Sequence, residues 1–130
     1  MIGYATVGTN DIDKARAFYD ALFGSIGAGR LMEFPESGFT MYGTRLDRPG
    51  MAVTRPYDGQ AATPGNGAMV AIVMDERAKV DAFYAKAIEL GGSDEGGPGL
   101  RGPEGDQAFY GAYFRDLDGN KFCVFRMGPA

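Results

Sequence analysis

The sequence predicts an α+β fold built from two tandem βαβββ modules within a single domain, residues 1–130. The triplet Ala-Phe-Tyr occurs at residues 17–19 and again at residues 82–84, and this spacing of 65 residues is half of the 130-residue chain. Each triplet lies in a segment with helical apolar spacing, preceded by one short apolar stretch and followed by further strand-like stretches. Because two copies are too few for a solenoid, the repeat indicates two halves of one fold.

The first predicted module covers residues 1–56. Residues 2–8 predict a strand, and Asn10 is expected to cap a helix that ends at Gly24. Three strands are predicted after the helix, at residues 31–35, 39–45 and 51–55. The apolar stripe of the helix consists of Ile12, Ala15, Phe18, Tyr19 and Leu22.

A linker is predicted at residues 57–66, where glycine and proline are frequent, and the second module covers residues 67–130. Its first strand, residues 68–74, leads to a helix that Asp75 is expected to cap. Residues 93–107 are rich in glycine and acidic residues, and we expect a mobile loop with at most one short strand, placed where it could cover a ligand. Strands are predicted at residues 109–115 and 121–127, joined by a hairpin turn.

Composition excludes several classes of function. A net charge of −4 without a basic cluster argues against a nucleic-acid partner, and no apolar run reaches the roughly 18 residues that span a membrane. The start of the chain lacks the basic region of a secretory signal, and one cysteine forms no internal disulfide; both favour a cytoplasmic location. An acidic surface is one signal for a cationic ligand, but many proteins without such a ligand share it. The chain has no histidine, which removes the commonest general base and transition-metal ligand.

Two motifs resemble the vicinal oxygen chelate superfamily, which includes glyoxalase I, extradiol dioxygenases and bleomycin-resistance proteins. The first is a strand followed by Asn10-Asp11 and Ala17-Phe18-Tyr19. The second is Phe114-Arg-Asp-Leu-Asp-Gly-Asn120, which is similar to the superfamily's Asp-Pro-Asp-Gly-Asn hairpin with Leu117 in place of proline. The resemblance covers essentially the whole chain. It implies an open, cup-shaped mixed sheet with helices on the outer face, a homodimer, and a small-molecule site in the groove.

Catalytic members of the superfamily bind a divalent metal through His, Glu or Gln side chains on the first and last strands of each module. The corresponding positions of this chain are Tyr4, Ala52, Met69 and Cys123. Alanine has no donor atom, tyrosine is a poor ligand at neutral pH, and the two sulfur groups suit only soft metals such as Cu(I). We therefore expect no metal and no cofactor, and packing is favoured over a Cu(I) site for Met69 and Cys123.

Alternation along the strands predicts a mostly apolar groove with some hydroxyl groups. An error of one residue in the alternation would move every assigned side chain to the opposite face of the sheet. Tyr4 is the one candidate for a catalytic acid, although a core tyrosine bonded to the backbone explains it equally well. Cys123 is interpreted as a small wall residue because no histidine is present to activate a thiolate. The predicted ligand-binding residues are Tyr4, Thr6, Tyr42, Ala52, Thr54, Met69, Ala71, Tyr113, Cys123 and Phe125.

Three functional hypotheses follow. The first is a bleomycin-resistance-type protein that has lost the metal ligands and binds a small organic molecule in the groove. The second is a divergent lyase, isomerase or dioxygenase-like enzyme with a site built without histidine, for which Tyr4, Tyr42 and Glu33 are the candidate acid–base groups. The third is an interaction subunit whose groove is filled by its own side chains.

Overall fold

The computed structural model describes residues 1–130 and confirms the α+β class and the two tandem βαβββ modules. The chain divides into two compact units, Met1–Asn66 and Gly67–Ala130. Neither of its two helices combines the length and the apolar character that a membrane-spanning helix requires. The first unit contains β1 (Tyr4–Gly8), α1 (Ile12–Gly24), β2 (Gly29–Phe34), β3 (Phe39–Gly43) and β4 (Gly50–Thr54). The second contains β5 (Val70–Val73), α2 (Arg77–Glu89), β6 (Ser93–Leu100), β7 (Phe109–Arg115) and β8 (Lys121–Met127).

The first unit is a four-stranded sheet with the order β1-β4-β3-β2, in which only the β1–β4 pair is parallel. Helix α1 packs on one face of this sheet, and all five residues of its predicted apolar stripe are buried. The predicted cap at Asn10 is wrong, because the carboxylate of Asp11 accepts the Lys14 backbone N–H at 3.1 Å. Asn10 instead exchanges two hydrogen bonds with the backbone of Ala62, which holds the predicted linker against the first unit.

The second unit repeats this topology with the order β5-β8-β7-β6 and a parallel β5–β8 pair. Helix α2 buries Val80, Phe83 and Ala87. The predicted cap at Asp75 is also wrong. Glu76 occupies the cap position without a side-chain cap bond, and Asp75 forms a salt bridge with Lys79 at 2.7 Å.

The glycine-rich segment after α2 is more ordered in structure than its sequence predicts. Residues Ser93–Leu100 form β6, an eight-residue edge strand that pairs with β7. Its register shifts between Asp94 and Gly96 and again between Gly96 and Gly99. These irregularities interrupt the alternation of side chains, which explains why the sequence pattern indicated a loop.

The hairpin turn between β7 and β8 is held by one buried carboxylate. Asp116 Oδ1 accepts the backbone N–H groups of Asp118 and Asn120 at 2.9 and 2.8 Å, and Asp116 Oδ2 accepts the Asn120 side-chain amide at 2.9 Å. Gly119 supplies the positive φ, 88°, that the turn requires. The motif that closes the chain is therefore a structural turn, which fixes the register between the last two strands.

Candidate functional site

Strand register defines an open face on the first sheet, opposite α1. Thr6 is the partner of Ala52 across the β1–β4 pair, and Ala52 is the partner of Met41 across the β3–β4 pair, so the three share one face. Tyr4 and Thr54 lie two residues from Thr6 and Ala52 on their strands and therefore lie on the same face. The predicted groove residues of the first unit other than Tyr42 are thus on the side away from the helix.

Tyr42 lies on the opposite face, and its predicted position in the groove is wrong. It is 1% exposed, its hydroxyl donates to Asp20 Oδ1 on α1 at 2.8 Å, and its ring stacks on Phe23 with centroids 5.5 Å apart. Burial, and secondarily the hydrogen bond to Asp20, raises the pKa of the Tyr42 phenol. Pattern alone could not assign β3, because both of its faces carry large apolar side chains.

A groove of about 700 Å³ lies on the open face of the first sheet. Its walls are aromatic and aliphatic: Phe39 packs edge-on against Tyr4 at 5.8 Å and tilted against Phe34 at 5.5 Å. Tyr4 is 54% exposed and Phe34 is 50% exposed, so both rings are accessible to a ligand. The remaining apolar lining consists of Met32, Met41, Leu46 and Tyr57.

The polar lining of this groove is basic. Arg48 and Arg55 are its only charged residues, and Ser37 and Thr54 supply hydroxyl groups. Neither arginine forms a salt bridge. Arg48 could not be found from the sequence because it lies in the turn before the predicted strand, where alternation assigns no face. Arg55 is the last residue of the strand predicted at residues 51–55, and alternation placed it on the face opposite Thr54, whereas β4 ends at Thr54. The available signal was that one arginine precedes and one follows the short strand β4, which contributes residues to the groove.

The second sheet also has an open face, opposite α2. Register places Ala71, Cys123 and Tyr113 side by side on it, and Phe125 lies two residues farther along β8 on the same face. Met69 lies outside the strand, directly before β5. The Tyr113 ring has Arg101 on it at 5.5 Å and Lys121 at 5.5 Å. Two cations of this face are therefore engaged by an aromatic ring of the protein itself.

Cys123 is not suited to nucleophilic chemistry. It is 1% exposed, and burial raises the pKa of its thiol. Tyr113, which hydrogen-bonds to it, also has a raised pKa, mainly through burial. Burial thus favours the neutral forms of both the thiol and the phenol, which disfavours a thiolate nucleophile.

Sequence comparison assigns the family. The profile of the Glyoxalase/Bleomycin resistance protein/Dioxygenase superfamily matches residues 1–124. The chain belongs to this superfamily. It is similar to a glyoxalase/bleomycin resistance protein from Albidiferax ferrireducens T118, with which it shares 36% sequence identity. The match to the crystal structure of that protein covers 97% of this chain and 98% of that chain, with a TM-score of 0.83.

More distant structures share the fold. A glyoxalase/bleomycin resistance protein/dioxygenase family enzyme from Burkholderia phytofirmans PsJN is 20% identical, with 95% and 96% coverage and a TM-score of 0.71. A lactoylglutathione lyase from Agrobacterium tumefaciens is 19% identical, with 97% and 92% coverage and a TM-score of 0.65. Among curated proteins, none matches this chain significantly.

The residues at the superfamily's metal-ligand positions do not fit a divalent ion of the kind its catalytic members bind. Ala52 offers no donor, Met69 offers a thioether, and the raised pKa of Cys123 disfavours a thiolate. Nowhere do three Cys, Asp or Glu side chains come together in a group that could hold a metal ion.

Proposed function

We propose that this superfamily member binds a small, largely apolar organic molecule on the open face of the first sheet, without the metal centre of its catalytic relatives. The groove itself is the observation that carries the proposal. Its volume, about 700 Å³, is within the roughly 300–1,000 Å³ typical of small-molecule sites, which combine apolar walls with a few polar groups. Exposed rings of Tyr4 and Phe34 provide contact area that no other part of the first unit covers.

The geometry gives less support to the second hypothesis, a divergent enzyme whose site is built without histidine. Of the three residues considered for an acid–base set, only Tyr4 lines the groove. Tyr42 faces α1, and Glu33 lies on the same side, as the register partner of Thr40, where it pairs with Arg30 at 2.9 Å. Because two of the three groups point away from the groove, no proton relay is assembled around a ligand bound there.

Binding is tested by isothermal titration calorimetry with aromatic probes and by comparing two variants. Phe34→Ala removes an exposed groove ring, and we expect it to weaken binding several-fold while leaving the free energy of unfolding nearly unchanged. Leu117→Ala is the matched control, because Leu117 in the β7–β8 turn is 46% exposed but is not among the residues that line the groove. Equal affinities for the two variants and the wild type would show that ligands bind elsewhere.

The metal-free part of the proposal has its own test. Elemental analysis is carried out on untagged protein purified without chelator and then dialysed, because the histidines of a tag would supply ligands that the chain lacks. Negligible Zn, Fe, Ni and Mn are expected. Close to one tightly held ion per chain would contradict the ligand assignment and favour a metalloenzyme.

The proposal includes a cytoplasmic homodimer that binds a small molecule and has no nucleic-acid or membrane partner. The free, buried thiol of Cys123 is compatible with a reducing compartment. The dimer follows from the superfamily resemblance alone. Sedimentation equilibrium over a range of concentrations measures it directly, and a monomeric mass throughout would remove this part of the proposal.

A further inference from the structure

We propose that the ligand of the first-sheet groove is a flat aromatic carboxylate, with its ring against Tyr4, Phe34 and Phe39 and its carboxylate on Arg48. This inference rests on the proposed function and narrows it to one chemical class. It reverses the expectation from net charge, because the acidic chain as a whole favours a cationic ligand.

The charge of the groove is opposite to that of the chain. The protein has 17 acidic and 13 basic residues, yet the groove lining contains two arginines and no carboxylate. Since interaction at short range depends on the local charges and not on the net charge, the groove attracts anions. A cationic ligand would be repelled by the guanidinium groups of Arg48 and Arg55, which have no salt-bridge partner.

The arginines of the groove lack the carboxylate partners that four other arginines of the protein have. Salt bridges to carboxylates engage Arg30, Arg45, Arg77 and Arg115. Arg48 and Arg55 have no such partner, although a guanidinium carries five N–H donors in a planar fork that matches a carboxylate. They are thus the two groove groups with the capacity to bind an anion.

The two arginines are not equivalent. They flank β4 at its two ends, and at about 3.3 Å per residue their backbones are on the order of 20 Å apart, so one small carboxylate engages one of them. Arg55 also lines an adjacent hollow of about 410 Å³ that contains Glu36. Arg48 lines the large groove but not the adjacent hollow, and it is therefore the expected partner of the carboxylate.

The ring system of the ligand follows from the walls. Phe39 lies between Tyr4 and Phe34, with interplanar angles of 79° and 41°. Rings at such angles leave faces and edges exposed on which another flat ring can stack or pack edge-on. An aliphatic anion of equal size would bury similar area but would lack these aromatic contacts.

The test compares 2-naphthoate with 2-naphthamide, which has nearly the same shape without the charge. Calorimetric dissociation constants are measured for the wild type and for Arg48→Gln, Arg55→Gln and Arg45→Gln. Arg45 is the matched control, because it lies near Arg48 in the sequence but pairs with Asp47 and does not line the groove.

We expect the wild type to bind naphthoate about tenfold or more tightly than naphthamide, as one charge-assisted hydrogen bond allows. Arg48→Gln should abolish this preference without changing naphthamide affinity, Arg55→Gln should reduce it less, and Arg45→Gln should leave it intact. The preference should also fall as salt is raised, because both arginines are exposed.

The contrary outcomes separate this inference from the proposed function. Equal affinity for the two probes, with both weakened by Phe34→Ala, would refute the anion and leave a neutral-ligand site. An equal loss of preference in Arg45→Gln would show a general charge effect and would also refute the role of Arg48. If neither probe binds and Leu46→Glu converts a dimer into monomers, a second copy occupies the groove and both proposals fail.

Discussion

Replacing Tyr42 with phenylalanine distinguishes a residue of the core from a residue of the ligand site. The substitution removes only the hydroxyl, which donates to Asp20 Oδ1 at 2.8 Å between the sheet and α1. We expect a loss of stability and no change in ligand affinity, because the ring points away from the groove.

The expected loss of stability can be estimated from the hydrogen bond between the Tyr42 hydroxyl and the Asp20 carboxylate. A hydrogen bond to a charged acceptor contributes roughly 1.5–3 kcal/mol, and a neutral one about 1 kcal/mol. Asp20 is partly exposed and keeps two hydrogen bonds from Arg30, at 2.8 and 2.7 Å, so its desolvation penalty after loss of the tyrosine is reduced. We therefore expect Tyr42→Phe to lower the free energy of unfolding by about 1–2 kcal/mol.

Urea denaturation measures this loss as a lower midpoint at an unchanged m-value, alongside calorimetric titration with 2-naphthamide. Tyr4→Phe is the control, because Tyr4 lies on the open face and is 54% exposed, and we expect it to leave stability nearly unchanged. The reasoning would be refuted by Tyr42→Phe with wild-type stability and weakened binding, since this would place Tyr42 in the groove.

Three further predictions concern stability and reactivity. The hydrogen bond from Arg30, with a smaller contribution from Tyr42, holds the pKa of Asp20 below its ordinary 3.8. The stability that the ionised Asp20 contributes is therefore present above pH 3.8 and is lost as the pH falls through the lower pKa of the folded state. Urea midpoints should fall less steeply below about pH 4 in Asp20→Asn than in the wild type, and parallel curves would contradict the coupling. Asp116→Ala removes three hydrogen bonds of the β7–β8 turn and should cost roughly 2–4 kcal/mol in urea denaturation, whereas a cost under about 0.5 kcal/mol would show that the turn forms without them. Cys123 should react with a disulfide reagent far more slowly in the native protein than in guanidinium, and equal rates would contradict its burial.

The fold could be predicted where local pattern and tertiary structure agree. The bounds of β7 and β8 follow from uninterrupted apolar character on both sides of a turn with strong glycine and aspartate signals. The cap of α1 could not be chosen from the sequence, because Asn10 and Asp11 are both good capping residues. The contact that decides between them is the hydrogen bonding of Asn10 to Ala62, 52 residues away.

The groove could be predicted only in part, for a related physical reason. Alternation assigns faces within a strand, and it placed Tyr4, Thr6, Ala52 and Thr54 on one face of the first sheet, where register also places them. It could not assign Tyr42. It also says nothing about residues beyond strand ends, where turn geometry decides whether a side chain points into the groove. Arg48 lies in such a segment, and Arg55 directly follows the observed end of β4, which comes one residue before the predicted strand end.

The repeat explains why one half of the chain is the better candidate for ligand binding. The two units keep the same topology, and both helices bury their phenylalanine at the repeated triplet, Phe18 and Phe83. Their open faces have diverged. In the second unit Arg101 and Lys121 lie over Tyr113, so these cations already have partners within the protein. In the first unit Arg48 and Arg55 have no salt-bridge partner, and they border an aromatic groove. Because the packing against the helix stabilises the fold in both units, the open face of the first could change its chemistry without loss of the scaffold.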